Sequence, residues 1–197
     1  MSDEIYDQFC FGDISFTSML KFPEIRDRLI ILNGSSKTYA MTGWRIGYAF
    51  GNLDIIKAMS KIQGQATSCA NSIGQAASIE ALVGDQSTVD EMIVVFKQRR
   101  DYMVKLLNDL PKVDCLIPGG AFYAFPSFKY YIGKKYKNKT IKDSFDLCEI
   151  FLNEAYVATI SGDGFGAPGY VRFSYAIDEK SIKDGLERIK KIIKVIE

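Results

Sequence analysis

The chain has 197 residues, of which 47% are apolar and 25% charged, and its formal net charge is +1. This is the balance of an ordinary globular protein of one large or two small domains, with no broad electrostatic pull toward nucleic acid or an anionic membrane. It has no histidine, which excludes Ser-His-Asp and Cys-His catalysis and removes the commonest metal ligand, so no metal site is expected.

In chain order, residues 1–9 (MSDEIYDQF) carry neither the basic nor the apolar part of a secretory signal. Residues 29–33 (LIILN) form a continuous apolar run closed by Asn-Gly, which predicts a strand buried on both faces. Residues 44–50 (WRIGYAF) predict a second strand, and 53–62 a helix with Asn52 as its N-cap. Ser72–Val83 is rich in small residues and predicts a helix that packs closely on a sheet. A long amphipathic helix follows over about 87–110 and is stopped by Pro111.

The second part reads as α+β. Residues 121–125 (AFYAF) predict a strand after the turn Pro118-Gly119-Gly120. The basic stretch 133–142 reads as a solvated loop rather than a nucleic-acid patch. A helix is predicted over 145–155, a glycine-rich loop over 162–169, a strand over 170–175 and a final helix over 179–196. No apolar run approaches the ~20 residues that span a bilayer. Cys10, Cys69, Cys115 and Cys148 lack CxxC spacing. They read as free, mostly buried thiols in a reducing, cytoplasmic setting.

The chemistry concentrates in residues 33–51 (NGSSKTYAMTGWRIGYAFG), where Lys37 follows a buried strand and Arg45 lies eight residues on. Taken alone, Lys37 is weak evidence, although Gly34, Ser35 and Ser36 leave room beside its amine. The stretch resembles the cofactor-lysine signature of fold type I pyridoxal 5′-phosphate (PLP) enzymes of the aspartate-aminotransferase-like class I/II group. It has the serine-rich turn, the lysine, and Gly-x-Arg-x-Gly at residues 43–47. Asp3 to Tyr6 resembles the family's Asp-x-x-Tyr motif at the family's spacing. Residues 118–123 (PGGAFY) resemble the opening of its small domain, and 169–174 (GYVRFS) the strand that bears its carboxylate-binding arginine. The resemblance covers essentially the whole chain, in the family's order.

The resemblance implies an α/β fold. It consists of part of a PLP-transferase large domain (mixed sheet with helices, 1–86), a connecting helix (87–111) and an α+β small domain (112–197). It implies amino-group transfer between an α-amino acid and a 2-oxo acid, PLP as cofactor, and a homodimer. Lys37 would bond to the cofactor and later move the substrate α-proton. Asp3 would accept a hydrogen bond from the pyridine nitrogen, and Tyr6 would bond the ring's 3′-oxygen. Arg45 would clamp the phosphate and Arg172 the substrate carboxylate, each through a planar fork.

The family's enzymes are about twice as long, and the resemblance places this chain as a C-terminal half that begins in mid-domain. On that reading the isolated chain is expected to be inactive. Where the family often has a phosphate-binding serine three residues before the lysine, this chain has Gly34, so Ser35 or Ser36 would take that place. Two alternatives stay open: a PLP-dependent β-lyase or synthase of the same fold, and a non-catalytic truncated or regulatory module.

Overall fold

The computed structural model describes all 197 residues. They divide into two compact units, Met1–Ile93 and Val94–Glu197.

The first unit is built on a three-stranded sheet. β1 (Ser2–Asp3) runs parallel to β2 (Ile30–Gly34), with Asp3 beside Leu32. On its other edge β2 pairs antiparallel with β3 (Gly47–Gly51), Gly34 opposite Gly47. The apolar run that forms β2 buries Ile31 but leaves Ile30 and Leu32 partly exposed, so its burial is one-sided. The helix α1 (Leu53–Ala66) starts where expected, with the Asn52 side chain accepting from Asp54 N at 2.9 Å. It buries none of its residues, and Ile62 is 70% exposed. The helix α2 (Ser72–Val83) buries Gly74 and Ser78. The expected close packing on a sheet is confined to these two: a Cβ on Gly74 would lie 2.9 Å from Ile46 Cδ1, just before β3, while Ile73, Ile79 and Val83 stay exposed. The helix α3 (Ser87–Asn108) runs across the boundary between the units.

The predicted strand over 44–50 begins later than expected. Residues 42–44 form a single 3-10 turn, with Trp44 N bonded to Met41 O at 3.2 Å. Arg45 then adopts the left-handed conformation, φ 59° and ψ 45°. No strand can pass through such a residue, so β3 starts at Gly47.

In the second unit, β4 (Tyr123–Ala124), β7 (Ile160–Ser161) and β8 (Val171–Ser174) form an antiparallel sheet in the order β4–β8–β7. The helices α4 (Ser144–Ala155) and α5 (Glu179–Ile193) pack together, and α4 also packs on β7. Ile182, Leu186, Ile189 and Ile193 recur at helical spacing and are all buried. Asp143 and Asp178 cap the two helices, accepting from Asp146 N at 3.0 Å and Ser181 N at 2.9 Å, each worth about 1 kcal/mol. Phe128 is the hub of the core, T-shaped to Phe151 and stacked on Phe173. The predicted aromatic strand shrinks to two residues because Ala121 has φ 56° and Pro126 offers no N–H.

The basic stretch 133–142 is not a plain loop. It holds the hairpin β5 (Lys135–Tyr136) and β6 (Lys139–Thr140), turned by Lys137 at φ 53°. Lys139 Nζ meets Asp146 at 2.9 Å and Glu149 at 2.5 Å, and Lys137 Nζ meets Glu154 at 2.8 Å. These exposed pairs add little stability. They do match the lysines with the acidic face of α4, which argues against a patch for polyanions.

Candidate active site

The end of β2 delivers the lysine. After Gly34 the chain turns sharply, with Tyr39 N bonded to Ser35 O at 3.3 Å and Ala40 N to Lys37 O at 3.2 Å. This holds Lys37 half-buried just past the end of the central strand. Gly34 is required by the close approach of β3: a Cβ there would lie 2.7 Å from Ile46 O and 3.0 Å from Gly47 Cα.

Around Lys37 lies an open concavity of about 510 Å³, lined by Asp3, Ile5, Tyr6, Leu32, Asn33, Ser36, Lys37, Thr42 and Arg45. Its size falls in the range of small-ligand sites. The structure thus brings together five of the residues singled out from sequence: Asp3, Tyr6, Ser36, Lys37 and Arg45. The Lys37 ammonium lies 5.9 Å from the centre of the Tyr6 ring. Asp3 ends β1, and its Oδ1 accepts from Ile5 N at 3.2 Å, which fixes the turn carrying Tyr6. The left-handed backbone of Arg45 sends its side chain back over the 3-10 turn, where Nη1 donates to Thr42 O at 3.0 Å. The lining carries one carboxylate and two cationic side chains, a balance that favours an anionic ligand.

Ser35 is not part of this group. It is fully buried, and its hydroxyl donates to Ser78 Oγ of α2 at 2.9 Å. Of the two serines considered for the place of the missing phosphate-binding serine, only Ser36 lines the concavity. Sequence reasoning missed Thr42 and Asn33. Thr42 stands one turn before Arg45, a spacing that could have flagged it. Asn33 read only as a strand end, yet its Nδ2 donates to Asp7 Oδ2 at 3.1 Å and its Oδ1 accepts from Gly34 N at 2.7 Å. Burial first and the Asp7 charge second push the phenols of Tyr39 and Tyr48 above their ordinary range, so both stay protonated at neutral pH.

Arg172 lies on β8 in the second unit, half-buried. Its guanidinium carbon lies 4.4 Å from the centre of the Tyr123 ring and 4.8 Å from that of Phe165. Neither aromatic was singled out from sequence. Strand register explains the first: Tyr123 pairs with Ser174 and is the diagonal neighbour of Arg172 on one face. Phe165 comes from the glycine-rich stretch, which sequence left as a plain loop, and its partner is visible only in three dimensions. No helix is long and apolar enough to cross a membrane.

Comparison with known proteins agrees in sequence and in shape. Residues 1–189 match the sequence profile of the family "Aminotransferase class I and II". The chain is 42% identical over 194 residues to an aspartate aminotransferase of Streptomyces avermitilis, covering 98% of this chain and 48% of that one. It is 38% identical to an aspartate/prephenate aminotransferase of Nitrosomonas europaea, covering 98% of this chain and 49% of that one. The crystal structure of the Rhizobium meliloti aspartate aminotransferase superposes with a TM-score of 0.93 at 41% identity, over 98% of this chain and 49% of the other. An aromatic aminotransferase of Pyrococcus horikoshii gives 0.88 at 34%, over 98% and 50%. The chain spans about half the length of these relatives, and its mixed α/β fold is theirs. It belongs to the class I and II aminotransferases.

Proposed function

We propose that this chain supplies the cofactor lysine, the phosphate clamp and the carboxylate-binding arginine of a PLP-dependent aminotransferase that moves an amino group between an α-amino acid and a 2-oxo acid. The observation that carries the reading is the gathering of Asp3, Tyr6, Ser36, Lys37 and Arg45 around one concavity. The donor set fits the group. An amine meets an aldehyde, a carboxylate suits a ring nitrogen that must stay protonated, and a phenol suits the ring oxygen. A guanidinium and a hydroxyl suit a phosphate. When bound, PLP supplies an electron sink for charge that develops at the substrate α-carbon.

The protein's own groups do the rest. Lys37 holds the cofactor and, once released, moves the α-proton as general base. Asp3 orients the ring through its nitrogen. Arg45 and Ser36 anchor the phosphate, and Arg172 holds the substrate carboxylate. Residues 1–86 then serve as part of the cofactor-binding domain and 112–197 as the small domain, with 87–111 between them. The relatives named for aspartate and prephenate make an acidic or aromatic amino acid the first substrates to try. A homodimer is the proposed assembly, supported by the exposed apolar side chains of α1 and α2, among them Leu53, Ile62, Ile73 and Val83. All four cysteines are free, which supports a reducing, cytoplasmic setting.

The test is to mix the purified chain with PLP and record visible absorbance, with Lys37→Ala alongside. A lysine-dependent band is expected. Identical spectra for the two proteins would sink the claim that this chain binds PLP by itself. Supplying amino acids to the parent enzyme then separates transamination, which leaves pyridoxamine phosphate, from elimination, which leaves a 2-oxo acid and ammonia.

A further inference from the structure

We propose that Tyr123 and Phe165 are positioning residues that hold the Arg172 guanidinium so that it offers a fixed edge to a carboxylate. The inference rests on the reading of Arg172 as the carboxylate-binding residue. An arginine side chain carries about 2 kcal/mol of rotamer entropy, which any ligand must overcome to make a bidentate contact. Here two rings lie within cation–π distance of the guanidinium carbon, at 4.4 and 4.8 Å. Rings cover the faces of a guanidinium and leave its in-plane N–H groups to a planar acceptor.

The segment that carries Phe165 is built to keep that ring in place. Phe165 is 55% exposed, so burial alone does not fix it. Its ring meets Phe125 edge-on at 6.3 Å, and Phe125 in turn stacks on Tyr170. The backbone around it is pinned despite four glycines. Ser161 Oγ donates to Asp163 Oδ2 at 2.9 Å, Ser144 N to the same oxygen at 3.2 Å, and Gly169 N to Ser144 Oγ at 2.8 Å. A Cβ on Gly162 would lie 2.4 Å from Ala167 O, so that position is closed to other residues. Gly166, at φ +71°, closes the turn. A stretch that reads as a plain glycine-rich loop is a hydrogen-bonded mount for one aromatic ring.

The experiment uses the full chain labelled with ¹⁵N and ¹³C, with the Arg172 side-chain signals assigned by loss in Arg172→Lys. The Arg172 methylene protons next to Nε are expected upfield of those of exposed arginines. The displacement should shrink in Phe165→Leu and in Tyr123→Leu and survive in Tyr123→Phe, which keeps the ring. Succinate added as probe should move the Arg172 Nε signal, with its dissociation constant raised roughly threefold to tenfold in Phe165→Leu. Absence of an upfield displacement in the parent chain would overturn the inference, as would a displacement unchanged in both leucine variants. So would succinate affinity unchanged in a folded Phe165→Leu. A ring-dependent displacement with no response of Arg172 to succinate would keep the positioning and overturn the carboxylate reading instead.

Discussion

Arg45 couples a strained backbone to a side chain proposed to bind the phosphate, and two substitutions separate the two properties. A non-glycine residue in the left-handed region costs roughly 1–2 kcal/mol. Arg45→Ala keeps that cost. Arg45→Gly relieves it, but gives back about 0.4–1 kcal/mol through the greater freedom of the unfolded chain. Both variants lose the same bond to Thr42 O, so that loss cancels between them. The glycine variant should therefore be the more stable by about 1 kcal/mol, seen as a melting temperature higher by roughly 2–4 °C in a chain of this size. On the proposed reading both variants also lose one charge-assisted contact to the phosphate, worth about 1.5–3 kcal/mol. PLP affinity should fall on the order of tenfold to a hundredfold in each. Urea and thermal unfolding followed by circular dichroism measure the first quantity, and absorbance titration with PLP the second. Equal stability of the two variants would refute the backbone strain. Wild-type PLP affinity in Arg45→Gly would refute the phosphate role, whatever the stability shows.

Further expectations follow from other residues. Gly34→Ser adds a hydroxyl three residues before Lys37 but drives its Cβ to 2.7 Å from Ile46 O. It should cost about 1–3 kcal/mol by forcing β2 and β3 apart, read as a lower urea midpoint. Cys69 is exposed, whereas burial pushes the Cys115 thiol up to about 11. A thiol reagent at pH 8 followed by peptide mapping should label Cys69 at once and Cys115 only after unfolding. Asp85, Asp146, Asp163 and Asp178 are held below the usual carboxylate range by hydrogen bonds, from Ser87 for Asp85, the Lys142 backbone for Asp146, Ser144 for Asp163 and Ser181 for Asp178. Their folded-state values lie below the unfolded ones. Their contribution is therefore complete above about pH 4 and is lost as pH falls through the folded values. The urea midpoint should stay level from neutral pH down to that point and then drop, and Asp163→Asn should flatten the drop.

Much of this was legible in the sequence where a local rule sufficed. The helix α1 begins at Asn52 as expected because that residue offers a side-chain oxygen to the first turn. Lys37, Arg45, Asp3 and Tyr6 were legible as a set through motif order, and the concavity collects all four. The misreadings share one feature: nothing in the local sequence pattern marks what decided them. Arg45 sat in a mixed apolar run that reads as strand, and its residue type does not announce a left-handed backbone. The lysines of the β5–β6 hairpin looked solvated because their partners Asp146, Glu149 and Glu154 belong to α4. Ser35 and Ser36 were indistinguishable until Ser78 claimed one of them. Phe165 was one aromatic among glycines until Arg172 appeared beside it.

The lysine turn has two masters. Gly34 and Ser35 answer to what lies behind them, the β3 backbone and Ser78, while Ser36 and Lys37 answer to the concavity in front. Four consecutive codons should therefore separate into two phenotypes in a saturation-mutagenesis screen. Changes in the first pair would deplete folded protein in the cell. If the proposed roles hold, changes in the second pair would leave its abundance intact and weaken only cofactor binding, which makes position 36 the place to alter ligand binding without disturbing the scaffold.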